Sequence, residues 1–210
     1  MALNGRKAQA ARNDELILEA ARAIFTSDPA APISMVAERA GVGISALYRR
    51  YRSKDDLLLK LCTDAVRTYA DIAESAATSQ EDPWEVFTTF MRAALDAKAG
   101  SLSLKLAGQF PVSKELRAEL PRAYESTRRV LERAKAAGMV SPGIEVGDIS
   151  LMLEQLQAIE VGDEARTRQL RHRYLTLLLE GLRSTREEIP GPAPTWQEIG
   201  RRYDPAAAPA

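Results

Sequence analysis

The sequence predicts an all-α protein: an N-terminal unit of three helices holding a helix-turn-helix, then a C-terminal helical bundle. Three observations predict it. Alanine, leucine, arginine and glutamate dominate the chain, and all are good helix formers. Apolar residues recur at spacings of three and four, and few stretches alternate in the strand manner. The breaks between these runs fall at glycine and proline, next to residues of capping type. The expected partition is residues 1–54 for the first unit, 55–187 for the bundle and 188–210 for a Pro-rich linker, a short helix and a tail.

The first helix is expected to start at Asn13, with Asp14 and Glu15 in its first turn. Its apolar face is Ile17, Ala20, Ala21, Ile24 and Phe25. The prolines after Ser27 end it. Ser34 is of a type to cap a short helix through Ala40, Gly41-Val42-Gly43 makes a break, and residues 44–51 form a second short helix. Ser53, with Asp56 three residues on, resembles a capping box with Asp in place of Glu. It opens a long amphipathic helix carrying Leu57, Leu58, Leu61, Ala65, Tyr69 and Ile72. Asp82-Pro83-Trp84-Glu85 reads as a cap, a proline at the first helical position and an acid at the third. That helix carries Val86, Phe87, Phe90, Met91, Ala94 and Leu95 and stops at Gly100. A short apolar helix is expected over 102–110. Another runs from Ser113 to about 137, with Pro121 as a kink or early break and Gly138 just past its end. Two apolar helices follow over 146–159 and 164–182. Residues 190–194 form a stiff linker. Thr195 and Glu198 make a capping box for a last short helix, with Trp196, Ile199 and Tyr203 on one side. Residues 204–210 are expected to be disordered.

Composition excludes several classes of function. One cysteine, Cys62, permits no intramolecular disulfide, and only Cys62 and His172 could supply soft or imidazole metal ligands, so no zinc cluster is expected. One His and one Cys far apart make no catalytic triad, and no phosphate-cradling glycine loop appears. No enzyme activity, metal or cofactor is therefore expected. The apolar stretches are too short to span a membrane, and the basic residues 1–12 lack the apolar run of a secretory signal. A cytoplasmic protein is the expectation. The net charge of zero comes from 29 basic and 29 acidic residues, but it is unevenly spread. Residues 1–60 hold ten basic and seven acidic side chains. Arg39, Arg49, Arg50, Arg52 and Lys54 fall in a stretch with no acid, the footprint expected for contact with a polyanion.

Residues 34–51 read SMVAERAGVGISALYRRY, two short helices about a glycine turn, as in a helix-turn-helix. Val36, Ala37 and Ala40 suit close packing, Gly41 supplies the turn and Val42 plugs the gap. Leu47 and Tyr51 anchor the second helix, with Phe25 as their expected partner. Ile44, Ser45, Tyr48 and Arg49 are left to face outward, on the helix that enters the major groove in this motif.

Residues 17–58 resemble the DNA-binding domain of TetR-family (tetracycline-repressor-like) regulators. The matching positions are Ile17, Ala20, Ala21, Arg22 and Phe25, then Val36, Ala37, Ala40, Gly41 and Val42, then Leu47, Tyr48, Tyr51, Ser53, Lys54 and Leu57. Two departures stand out. Gly43 replaces the serine that often caps the recognition helix, and Asp28-Pro29 alters the first loop. The resemblance implies phosphate contacts at Ser34, Tyr48 and Lys54, and base contacts at Ile44, Ser45 and Arg49. It also implies a bundle that binds a small-molecule effector. Pocket candidates are Cys62, Val66, Tyr69, Phe87, Phe90, Met91, Leu104, Phe110, Tyr124 and Met152. Ile149, Leu153, Leu156, Leu170, Tyr174, Leu177 and Leu178 are the candidates for a homodimer interface that would place two recognition helices on a palindromic operator. The expected function is a ligand-responsive regulator, most simply a repressor. The alternative is a helical protein–protein adaptor that has lost specific DNA binding.

Overall fold

The computed structural model describes residues 2–97, 110–184 and 189–201. Nine helices lie among them: α1 Ala2–Ser27, α2 Ile33–Arg39, α3 Ile44–Arg50, α4 Lys54–Thr78, α5 Pro83–Asp96, α6 Lys114–Ala136, α7 Val146–Gln157, α8 Glu164–Ser184 and α9 Trp196–Arg201. Gly100, Leu104 and the helix expected over 102–110 lie outside the described residues, except for Phe110. Tyr203 and residues 204–210 do so as well.

Local chemistry sets most of the starts. Ser53 Oγ accepts from the Asp56 backbone N–H at 3.0 Å, while the Asp56 carboxylate accepts from Arg52 N at 3.1 Å. The capping box is thus displaced by one residue on its return bond. Asp82 Oδ1 accepts from Trp84 N and Glu85 N, with Pro83 in the first turn. Ser113 Oγ accepts from Leu116 N, and Thr195 and Glu198 cap each other. Two expected caps do not form. Asn13 lies inside α1, bonded to Gln9 at 2.9 Å, because the residues before it are mostly good helix formers and nothing interrupts them. Ser34 lies inside the first turn of α2, whose N-cap is Pro32 with no side-chain bond. The extended backbone at Pro32 is itself enough to set the helix entry.

Two helices, α2 and α6, end at a glycine. Gly41, at φ +65°, donates to Glu38 O while Val42 donates to Ala37 O, the paired bonds of a Schellman motif. Gly138 and Met139 repeat the pattern on Lys135 and Ala134. Pro121 falls inside α6 without ending it, and its exposed position keeps the ring clear of the core.

Among the described residues two apolar cores form. The first gathers Ile17, Phe25, Val36 and Leu47 from α1–α3, Leu57, Leu61 and Val66 from α4, and Phe110, Leu116 and Ala123. The second gathers Ala73 and Ala77 from α4 with buried residues of α5, α6, α7 and α8. The single helix α4, about 37 Å long at 1.5 Å per residue, therefore belongs to both, and Tyr69 packs against each. Arg67 pairs with Glu115 and Glu119, and Arg122 with Asp71, Glu74 and Glu119, along the α4–α6 contact. The buried Arg171 of α8 donates to Gln157 O at 2.8 Å and Ile159 O at 3.1 Å, satisfying the end of α7. The last segment docks: the Trp196 ring lies 4.8 Å from that of Tyr124 and Ile199 is buried. Gly147 lets it approach, since a Cβ there would collide with Pro194 O.

Candidate nucleic-acid interface

The helix-turn-helix is built on one buried seam. Phe25 of α1, Val36 and Ala37 of α2, Leu47 of α3 and the adjacent Tyr51 are all buried together, with Val42 half-buried between the helices. Once Leu47 faces inward, the 3.6-residue period turns positions 45, 48 and 49 away from it, and Ile44, on the flank at the start of the helix, is left uncovered. Ile44 is 41% exposed and Tyr48 47%, and Ser45, Arg49 and Ser34 are exposed as well. Leaving an isoleucine and a tyrosine uncovered on so short a helix is a cost unless another surface covers them. Met35 of α2 is also exposed, at 48%. Its place one residue before buried Val36 was the available signal.

The positive charges divide into two kinds. Arg49 and Arg52 are exposed. Lys54 is half-buried: its Nζ donates to Ala31 O at 2.8 Å and lies 5.1 Å from the centre of the Phe25 ring, so it ties the start of α4 to the loop after α1. Arg50, which the sequence offers as one more basic side chain, is bound to Asp14. Its Nε and Nη2 each donate to a different Asp14 oxygen at 2.7 Å, and Tyr51 OH donates to Asp14 Oδ1 at 2.7 Å. The Arg50 guanidinium holds the Asp14 carboxyl below its ordinary value, partly opposed by burial. The Tyr51 hydroxyl is pushed up, mainly by burial and then by Asp14. Asp14 has no motif to mark it. An acid before the apolar face of α1 and a base after that of α3 are the only signal, and the separation of 36 positions hides the pairing.

The pocket candidates are distributed over both cores. Cys62, Val66 and Phe110 are buried in the first, Phe87, Phe90 and Met91 in the second, and Tyr69, Tyr124 and Met152 pack at the edge of the second. Burial pushes the Cys62 thiol up to about 12. The Tyr69 and Phe90 rings meet edge to face at 5.8 Å. Among the described residues, a cleft of about 740 Å³ lies between α1, α4 and the start of α8, lined by polar side chains such as Arg22, Asp64, Glu160 and Thr167. A groove of about 560 Å³ between α4 and α5 has Phe90, Ile72 and Val86 in its lining.

The candidate interface residues also separate. Ile149, Leu153 and Leu156 of α7 are buried within this chain's own core. Leu170 is half-buried, whereas Tyr174, Leu177 and Leu178 are exposed along one face of α8. Among the described residues no cluster of three metal-ligating side chains occurs, and no helix is long and apolar enough to cross a membrane.

Residues 17–61 match the family described as bacterial regulatory proteins, tetR family, and residues 82–184 match the C-terminal domain of SbtR-like transcriptional regulators. No curated protein matches the sequence. Among solved structures, the TetR-like regulator LfrR from Mycobacterium smegmatis, in complex with proflavine, superposes with a TM-score of 0.62 at 21% identity, over 85% of this chain and 99% of that one. The TetR regulator SCO0520 from Streptomyces coelicolor gives 0.56 at 22%, over 81% and 98%. A TetR regulatory protein from Mycobacterium vanbaalenii gives 0.55 at 24%, over 84% and 98%. At these identities the likeness is one of fold.

Proposed function

The chain belongs to the TetR family of bacterial regulatory proteins, as a ligand-responsive, DNA-binding transcriptional regulator, and from that premise we propose that it is a homodimeric repressor released from a palindromic operator by a small molecule. The observation that carries the reading is the outward face of α3. Ile44, Ser45, Tyr48 and Arg49 are exposed there together, on a helix held from behind by Leu47. Arg49 is suited to the paired acceptors of guanine and Ile44 to a thymine methyl. Ser34, Tyr48 and Lys54 serve as phosphate contacts that fix register.

A dimer supplies the second recognition helix. The exposed Tyr174, Leu177 and Leu178 of α8 support a two-fold helical interface. Tyr69, Phe87, Phe90, Met91, Tyr124 and Met152 around the second core, with Cys62, Val66 and Phe110 of the first, are the proposed surroundings of the effector. The solved relative that holds proflavine favours an organic molecule in that bundle. Release follows from α4, which is shared by both cores. A ligand that moves its second half also shifts its start at Lys54, and with it α3. A coupling of about 1–3 kcal/mol changes operator affinity roughly 5- to 150-fold.

The test is selection of random DNA duplexes on the purified protein at two salt concentrations. Enrichment of a palindrome, with affinity falling steeply as salt rises, is the expected result. Absence of both enrichment and salt-sensitive binding would instead support the adaptor reading.

A further inference from the structure

We infer that Asp14, a residue of α1 remote from the base-reading face, is the positioning residue that sets the angle of the recognition helix; the inference rests on the DNA-binding reading above. Little else holds α3 in place. The helix has seven residues, one buried side chain within it (Leu47), and an N-cap, Gly43, that offers no side-chain bond. A helix of two turns does not persist without tertiary support. One buried residue acts as a pivot and leaves tilt and rotation open.

The second anchor stands at the other end. Arg50 closes a bidentate pair on Asp14, both bonds at 2.7 Å, the geometry in which guanidinium and carboxylate fix each other's plane. Tyr51, the next residue, donates to the same carboxylate at 2.7 Å, and its buried ring lies beneath the Arg50 guanidinium at 5.7 Å. One carboxylate therefore receives three bonds from two successive residues at the end of α3. Arg50 and Tyr51 directly follow Tyr48 and Arg49, so a change in their seat is carried straight to the reading face. Base readout requires side chains held within about 0.5 Å and 10–20°, which a single pivot does not provide.

Electrostatics supplies a discriminating sign. Asp14 carries negative charge on a unit that approaches a polyanion. By Coulomb interaction alone, its removal tightens binding to every DNA sequence. A positioning residue behaves oppositely on the specific site: its loss weakens the enriched duplex and leaves scrambled DNA as tight or tighter. The neighbouring Glu15 is exposed and serves as the control for charge without the link.

The experiment compares wild type, Asp14→Asn, Arg50→Lys and Glu15→Gln on the duplex enriched by the wild type and on a scrambled duplex, at two salt concentrations. Arg50→Lys keeps the charge but loses the planar fork. Asp14→Asn and Arg50→Lys are expected to lower the ratio of specific to scrambled affinity about tenfold, the order of a lost charged hydrogen bond. Glu15→Gln is expected to leave that ratio unchanged. An unchanged ratio in Asp14→Asn overturns the inference. Hydrogen exchange of the DNA-free proteins gives an independent reading. The amides of Ala46, Leu47 and Tyr51, which bond within α3 and at its ends, are expected to exchange about tenfold faster in Asp14→Asn, with those of α4 unchanged. Equal exchange also overturns it. If the wild type enriches no duplex, the DNA-binding reading fails on its own and exchange alone decides the role of Asp14.

Discussion

Arg49 and Arg50 are adjacent, identical in chemistry and assigned to different tasks by their angle around one short helix. Arg49 points away from the seam and is exposed. Arg50 points back to α1 and is bound there. Arg49→Ala should therefore relax the preference at one base position by about 1–3 kcal/mol and leave stability nearly unchanged, as measured by affinities for single-base variants of the enriched duplex. The Asp14 pairing carries a pH signature. Its folded pKa lies below the ordinary 3.8, with the Arg50 bond as the largest cause. The carboxylate's stabilising contribution is thus fully present above that ordinary value and is lost as pH falls through the depressed folded one. Acid titration should show an added loss of stability below about pH 4 in the wild type and a smaller one in Asp14→Asn. The sequence was legible here to the extent that periodicity decides in and out: Leu47 and Tyr51 are inside, Ile44 and Tyr48 outside. Which acid meets which base was not legible, because the choice among 29 acidic and 29 basic residues is made by tertiary proximity.

At the scale of elements, the caps were the most readable feature. Ser53, Asp82, Ser113 and Thr195 all act where the sequence placed them, since a cap is a bond between residues two or three apart. Asn13 and Ser34 show the limit of that logic. A capping type does not start a helix when the residues before it already continue one, or when proline has set the entry. The bare start of α3 offers a direct test. Gly43 has extended backbone, and an added Cβ there meets nothing within 4 Å. Gly43→Ser should supply the missing side-chain cap and stabilise by a few tenths of a kcal/mol, seen as a small rise in Tm and slower amide exchange at the start of α3. A fall in Tm would mean that a serine hydroxyl at this position does not reach the free amides of the first turn.

The whole molecule is a pair of cores threaded by α4. Sequence periodicity found most of the first core and about half of the second, because helical stripes report burial, but it passed over Val130, Leu131 and Ala134 of α6 and Leu175 and Leu179 of α8. It did not distinguish the wall of an effector site from packed interior, since the same side chains at the same spacing serve either purpose. Nor did it separate α7 from α8. Both carry apolar stripes, yet Ile149, Leu153 and Leu156 are consumed within the protomer while Leu177 remains 57% exposed. That exposure gives a clean test of assembly. Leu177→Glu removes no core contact, so the protomer should stay folded. It should become monomeric by light scattering and lose its advantage for the palindrome over a half-site. A dimer that survives would move the interface elsewhere.

The shared helix also constrains how this protein can be recombined. Leu57, Leu58, Leu61, Cys62, Val66 and Ala70 belong to α4 by chain but to the first core by packing. A hybrid regulator that joins residues 1–54 to a foreign effector bundle would borrow those six side chains from a helix shaped for another partner. A hybrid joined beyond Ala70, the last α4 residue of the first core, would keep all the α4 side chains of that core and replace only Phe110, Leu116 and Ala123. The second should melt more cooperatively than the first. The DNA-reading unit is thus transferable only together with the upper half of its connecting helix, and interchange of specificities within such a lineage is favoured at junctions inside α4 over junctions at its start.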